Sequence, residues 1–145
     1  MERRSILLIA FHGVLLIAIG MLVGIPFTNA VTGDAGADLQ RARRVSHTSL
    51  LSAGTLYVAI AAVGQHPVLS SAAASFVTRT FVVAAWALSV AFVVGPIIGA
   101  RGLEPTGPPL HILIFVLFTS GLLALFASLV LVLRGLFFAY REDGS

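Results

Sequence analysis

Four histidines carry most of the reactive chemistry open to this 145-residue chain: His12, His47, His66 and His111. There is no cysteine, which excludes a disulfide scaffold and any thiolate-based zinc or iron–sulfur centre. The six acids are Glu2, Asp34, Asp38, Glu104, Glu142 and Asp143, and none falls inside a long apolar run. No intramembrane carboxylate is therefore available for proton relay, general acid work or hard-cation binding. Imidazole remains, as a metal ligand or a titratable base.

The elements that must position these rings are set by composition. Hydrophobic residues make up 58% of the chain and charged residues 10%, against about 25% charged in an ordinary soluble domain. That excludes a soluble domain and a disordered chain. A net charge of +3, carried by nine arginines and no lysine, is spread over apolar sequence and forms no nucleic-acid patch. A bilayer core of about 30 Å takes about 20 apolar residues as a helix. Four stretches meet or approach this, at about 5–27, 47–63, 76–100 and 110–133. The expectation is an all-α integral membrane four-helix bundle, one transmembrane domain over 1–145. The continuous runs argue against a β-barrel. The first run is too long for a signal-peptide apolar region and is read as a true span.

The connections are unequal. Residues 28–46 hold Asp34, Asp38, Arg41, Arg43 and Arg44, and the Arg-rich stretch 37–45 reads as a short interfacial helix leading into the second span. Residues 64–75 and the turn-rich 101–109 make the other two. The side of the termini holds Arg3, Arg4, Arg79, Arg134 and Arg141, and the other side Arg41, Arg43, Arg44 and Arg101, a near balance. Termini on the cytoplasmic side of a bacterial inner membrane are favoured because the first span usually dominates. Gly13, Gly20 and Gly24 line one strip of the first helix, with Gly20 and Gly24 spaced as GxxxG for close packing within or between chains. Thr48, Ser52 and Thr55 share one face of the second helix, read as buried in protein although their hydroxyls can bond their own carbonyls.

Depth separates the histidines. His12 lies roughly 10 Å into the first helix, whereas His47 and His111 begin the second and fourth helices at the opposite membrane face. Within one chain, a bis-histidine haem would favour His47 with His111. Each ring also has a plainer reading: His66 solvated beside Pro67, His111 at a helix start, His12 satisfied in a helix interface.

The order His12-Gly13, a polar loop, Arg43 through His47, then Gly54 resembles a family of small four-span bacterial membrane enzymes. Its members include styrene oxide isomerase and, more loosely, hydroxylaminobenzene mutase. The resemblance implies a trimer with haem b between subunits, His47 as iron ligand, and Arg41, Arg43 and Arg44 beside the propionates. His111 and His12 are weaker metal candidates. It implies a Lewis-acid rearrangement of an epoxide to a carbonyl. Ser46 and Ala53 replace the family's alanine and asparagine in helix two, and Ala84 and Phe92 replace its aspartate and tyrosine around Trp86. A pocket of Ala53, Ala84, Trp86 and Phe92 is nearly apolar and suits a small apolar or aromatic substrate. Two alternatives stand beside the isomerase: a small b-type cytochrome or haem sensor, and a cofactor-free accessory membrane subunit. A transporter is disfavoured, because no acid lies in a span and no paired broken helices appear beyond Pro26 and Pro96.

Overall fold

The computed structural model describes residues 1–33, 36–100 and 102–143. Asp34 and Arg101, which entered the charge balance, lie outside them. Four helices follow one another: α1 (Arg3–Thr32), α2 (Ala37–Val63), α3 (Ser71–Ile98) and α4 (Pro109–Asp143). Each is long and apolar enough to cross a bilayer, and the chain is an integral membrane protein.

The boundaries move outward from the expected spans. α1 continues through Pro26 to Thr32. The stretch 37–45 is not a separate interfacial helix; it forms the first turns of α2. Its Ala, Leu, Gln and Arg residues are good helix formers, and nothing between Ala37 and Val63 breaks the run. The long first connection shrinks to residues 33–36. α3 starts at Ser71, where the Ser70 hydroxyl accepts from the Ala73 amide at 3.2 Å. It ends on Gly99 in the left-handed region (φ 72°), with the Ala100 amide closing back on the Gly95 carbonyl at 2.9 Å. Pro109 opens α4 at a position where its missing N–H costs nothing.

The helices run up and down. At one end the Met1 ammonium donates to the Gly64 carbonyl at 3.2 Å, and the Val68 amide donates to the Gly135 carbonyl at 3.1 Å. α1 and α2 are the closest pair. A Cβ on Gly54 would lie 2.6 Å from the Gly13 carbonyl oxygen, and one on Gly13 would lie 2.9 Å from the Tyr57 Cβ. The glycine strip of α1 therefore serves contacts within the chain. Tyr57 is fully buried beneath this crossing, its hydroxyl donating to the Phe81 carbonyl of α3 at 2.8 Å. Ile9, Leu16, Leu50, Val77, Phe81 and Ala85 complete the core around it, with Val132 reaching in from α4.

α3 is the hub, packed on each of the other three helices, while among the described residues α4 packs on no helix but α3. The Thr80 and Ser128 hydroxyls bond each other across that seam. The hydroxyl stripe of α2 corrects the sequence reading. Thr48, Ser52 and Thr55 face outward, and Thr48 and Thr55 donate back to the Arg44 and Leu51 carbonyls at 2.9 Å.

Candidate functional site

His47 sits three turns into α2, on the flank that meets α1. Its Nδ1 lies 2.8 Å from the Gly20 carbonyl oxygen. A carbonyl can only accept, so Nδ1 donates, and Nε2 is the nitrogen that carries the lone pair. The close approach rests on Gly24, where a Cβ would stand 3.0 Å from the ring's Cε1 and Nδ1. Phe27 stacks on the imidazole (centroids 5.8 Å apart, planes at 22°), and the Arg44 guanidinium lies 5.8 Å from the Phe27 centroid. Arg43 donates from Nη1 to the Pro26 carbonyl at 2.8 Å. Beside proline's missing N–H, this bond ties the end of α1 to the head of α2. An imidazole with one nitrogen fixed by a backbone carbonyl and the other free is the usual preparation for metal ligation.

A cavity of about 620 Å³ lies on the other flank of α2. Ala42, Ser46, Ala91, Phe92, Pro96 and Phe118 line it, together with Asp38 and Arg41. It exists because α4 leans on α3 alone and leaves α2 standing apart. The Phe92 and Phe118 rings meet edge to face at 5.6 Å in its wall. Ser46 lines the cavity and His47 does not, because successive helical residues point about 100° apart.

The other histidines have their own partners. His12 is buried at 6% exposure, its Nδ1 donating to the Leu8 carbonyl at 2.8 Å, with Trp86 at its edge. The His111 Nε2 lies 3.1 Å from the Ile98 carbonyl oxygen and holds the start of α4 to the end of α3. Among the described residues, no hydrogen bond or ring contact joins His47 to His111. His66 is exposed in its loop. Among the described residues, no group of three or more His, Cys, Asp or Glu side chains could hold a metal ion.

The four expected pocket residues do not share one cavity. Phe92 lines it, Ala53 is half-buried against the core, Ala84 is fully buried, and Trp86 is 53% exposed on the outer face of α3. Of the three arginines, Arg41 joins the cavity, while Arg43 and Arg44 join the His47 flank. The residues that sequence reasoning missed are Gly20 and Gly24 as the histidine's cradle, and Pro96 and Phe118 as cavity wall. For the glycines a signal existed in their four-residue spacing; for the wall residues none did.

The family model for styrene oxide isomerase matches residues 6–137, from the first turn of α1 into the last turns of α4. The chain belongs to the styrene oxide isomerase family. Comparisons with curated proteins and with solved structures returned no match. The family match takes in both flanks of α2 and supports an isomerase-like function.

Proposed function

We propose that this protein is a membrane isomerase that holds haem b on His47 and rearranges a small apolar or aromatic epoxide to a carbonyl compound. The observation that carries the reading is the Gly20 carbonyl on Nδ1, which fixes the tautomer and leaves Nε2 for iron. Bound there, ferric haem would supply a Lewis-acidic iron for the epoxide oxygen. The chain's own residues do the rest. Gly24 gives the ring room, Phe27 packs on its face, and Arg43 and Arg44 put positive charge at the membrane edge, where haem propionates would pair with it. The cavity walled by Phe92, Phe118 and Pro96 offers a largely apolar surface to a substrate, with Ser46, Asp38 and Arg41 as its polar lining. His47 and the cavity occupy opposite flanks of α2, so an assembly of copies, a trimer by family resemblance, is the arrangement that would bring them together. By the same reading the protein sits in a bacterial inner membrane with its termini in the cytoplasm. Neither imidazole pairing nor redox change is needed.

The test is an absorbance spectrum of detergent-purified protein from haem-replete cells, followed by an assay on an aryl epoxide. The expected result is a Soret band that vanishes in His47→Ala while far-UV circular dichroism is unchanged, with aldehyde formed only by the coloured protein. A colourless wild type overturns the haem assignment. Coloured protein without turnover overturns the isomerase.

A further inference from the structure

Past the level of the second connection, α4 changes character. Gly135 is gripped there: its carbonyl accepts from Val68, and a Cβ on it would meet Pro67 and Leu69 at 2.9 Å. The helix then runs on to Asp143, about 12 Å further. In this extension Phe137, Phe138 and Tyr140 are exposed, Tyr140 by 79%. The Arg134 guanidinium carbon lies 5.4 Å from the Phe138 centroid, and that of Arg141 lies 5.8 Å from the Phe137 centroid. Both pairs are four residues apart, so the four side chains form one band on one helix face.

That face continues the exposed stripe of Leu123, Phe126, Val130 and Leu133. In an integral membrane protein such a stripe borders lipid, so the band begins where the hydrocarbon ends. The headgroup layer is roughly 5–8 Å deep on each side of a bilayer. Arg134 and Arg141 are about 10 Å apart along the helix, enough to cross it. Each guanidinium carbon lies over a ring, and a guanidinium so placed still has N–H groups to offer a phosphate oxygen. Arg3 and Arg4 are exposed at the same end of the bundle. With Arg134 and Arg141 they stand against Glu2, Glu142 and Asp143.

We propose that the band formed by Arg134, Phe137, Phe138 and Arg141 binds the headgroups of anionic phospholipids, the two guanidiniums taking the phosphate and the rings seating at the interface. The site is independent of haem and of the cavity.

Native mass spectrometry in micelles doped equally with phosphatidylglycerol and phosphatidylcholine of matched chains tests it. One arginine at a membrane surface favours an anionic lipid about fivefold, so wild type should retain phosphatidylglycerol at least about fivefold over phosphatidylcholine. The R134Q/R141Q variant, checked for helicity by circular dichroism, should lose that preference. In wild type alone, raising the salt before analysis should weaken it, which keeps the test open if the variant does not fold. Equal retention of the two lipids by wild type overturns the proposal. So does a preference that survives R134Q/R141Q. A dimer mass that disappears in the variant, with no lipid preference in wild type, assigns the face to a second copy instead and likewise overturns it.

Discussion

One methyl group on Gly24 measures how tightly His47 is held. In Gly24→Ala the new Cβ would press on the imidazole from 3.0 Å, and the ring must turn away from the Gly20 carbonyl to relieve it. The expected outcome is a several-fold fall in Soret absorbance per protein with the helical content unchanged, the overpacking costing about 1–3 kcal/mol. Gly36→Ala is the matched control: nothing lies within 4 Å of a Cβ there, and the residue already sits in the ordinary extended region, so absorbance and melting should not move. As a candidate, His47 is legible from its place beside the arginines and from the family resemblance. Its acceptor was not, because a backbone carbonyl twenty-seven residues away leaves no mark on side-chain pattern. The same limit applies to His111, whose acceptor, the Ile98 carbonyl, is equally invisible in the sequence.

Between helices, the crossing of α1 and α2 is fixed by two glycines and one buried phenol. Gly54→Ala puts a Cβ 2.6 Å from the Gly13 carbonyl oxygen, backbone that has nowhere to move without parting the helices. A loss of at least about 2 kcal/mol is expected in denaturant unfolding from micelles. Tyr57→Phe keeps the ring against Phe81 and removes only the bond to its carbonyl. Hydrogen bonds between membrane helices average about 0.6 kcal/mol, so this variant should be only slightly destabilised in the same assay. The four helices were legible because long apolar runs admit no other reading. Their ends were not. Charge at Arg41, Arg43 and Arg44 looks like an interface, yet a helix passes through an interface as easily as it stops there. The hydroxyls of Thr48 and Thr55 look like a buried face, yet bonded to their own helix they can face lipid at little cost.

At the scale of the molecule, the count of spans follows from the sequence, and the packing order does not. In water an amphipathic stripe marks the inner face of a helix; in lipid both faces are apolar and the stripe fades. Leu123 on the outer face of α4 and Val132 on its inner face are equally hydrophobic residues. That α4 would touch α3 alone, opening the cavity beside α2, could therefore come only from the assembled helices.

The lopsided placing of α4 also sets how the protein resists force. A pull on the C-terminus meets one helix seam and the grip of Pro67 and Leu69 on Gly135, and no helix beyond α3. α4 should come out of the bilayer first, as a single step of about 120 Å of extended chain, with α1, α2 and α3 still seated around Tyr57. A pull on the N-terminus instead loads the α1–α2 crossing, where Gly13 and Gly54 interlock, and should need the larger force. The same protein would thus be weak from one end and strong from the other, a difference that single-molecule extraction from a supported membrane would record directly.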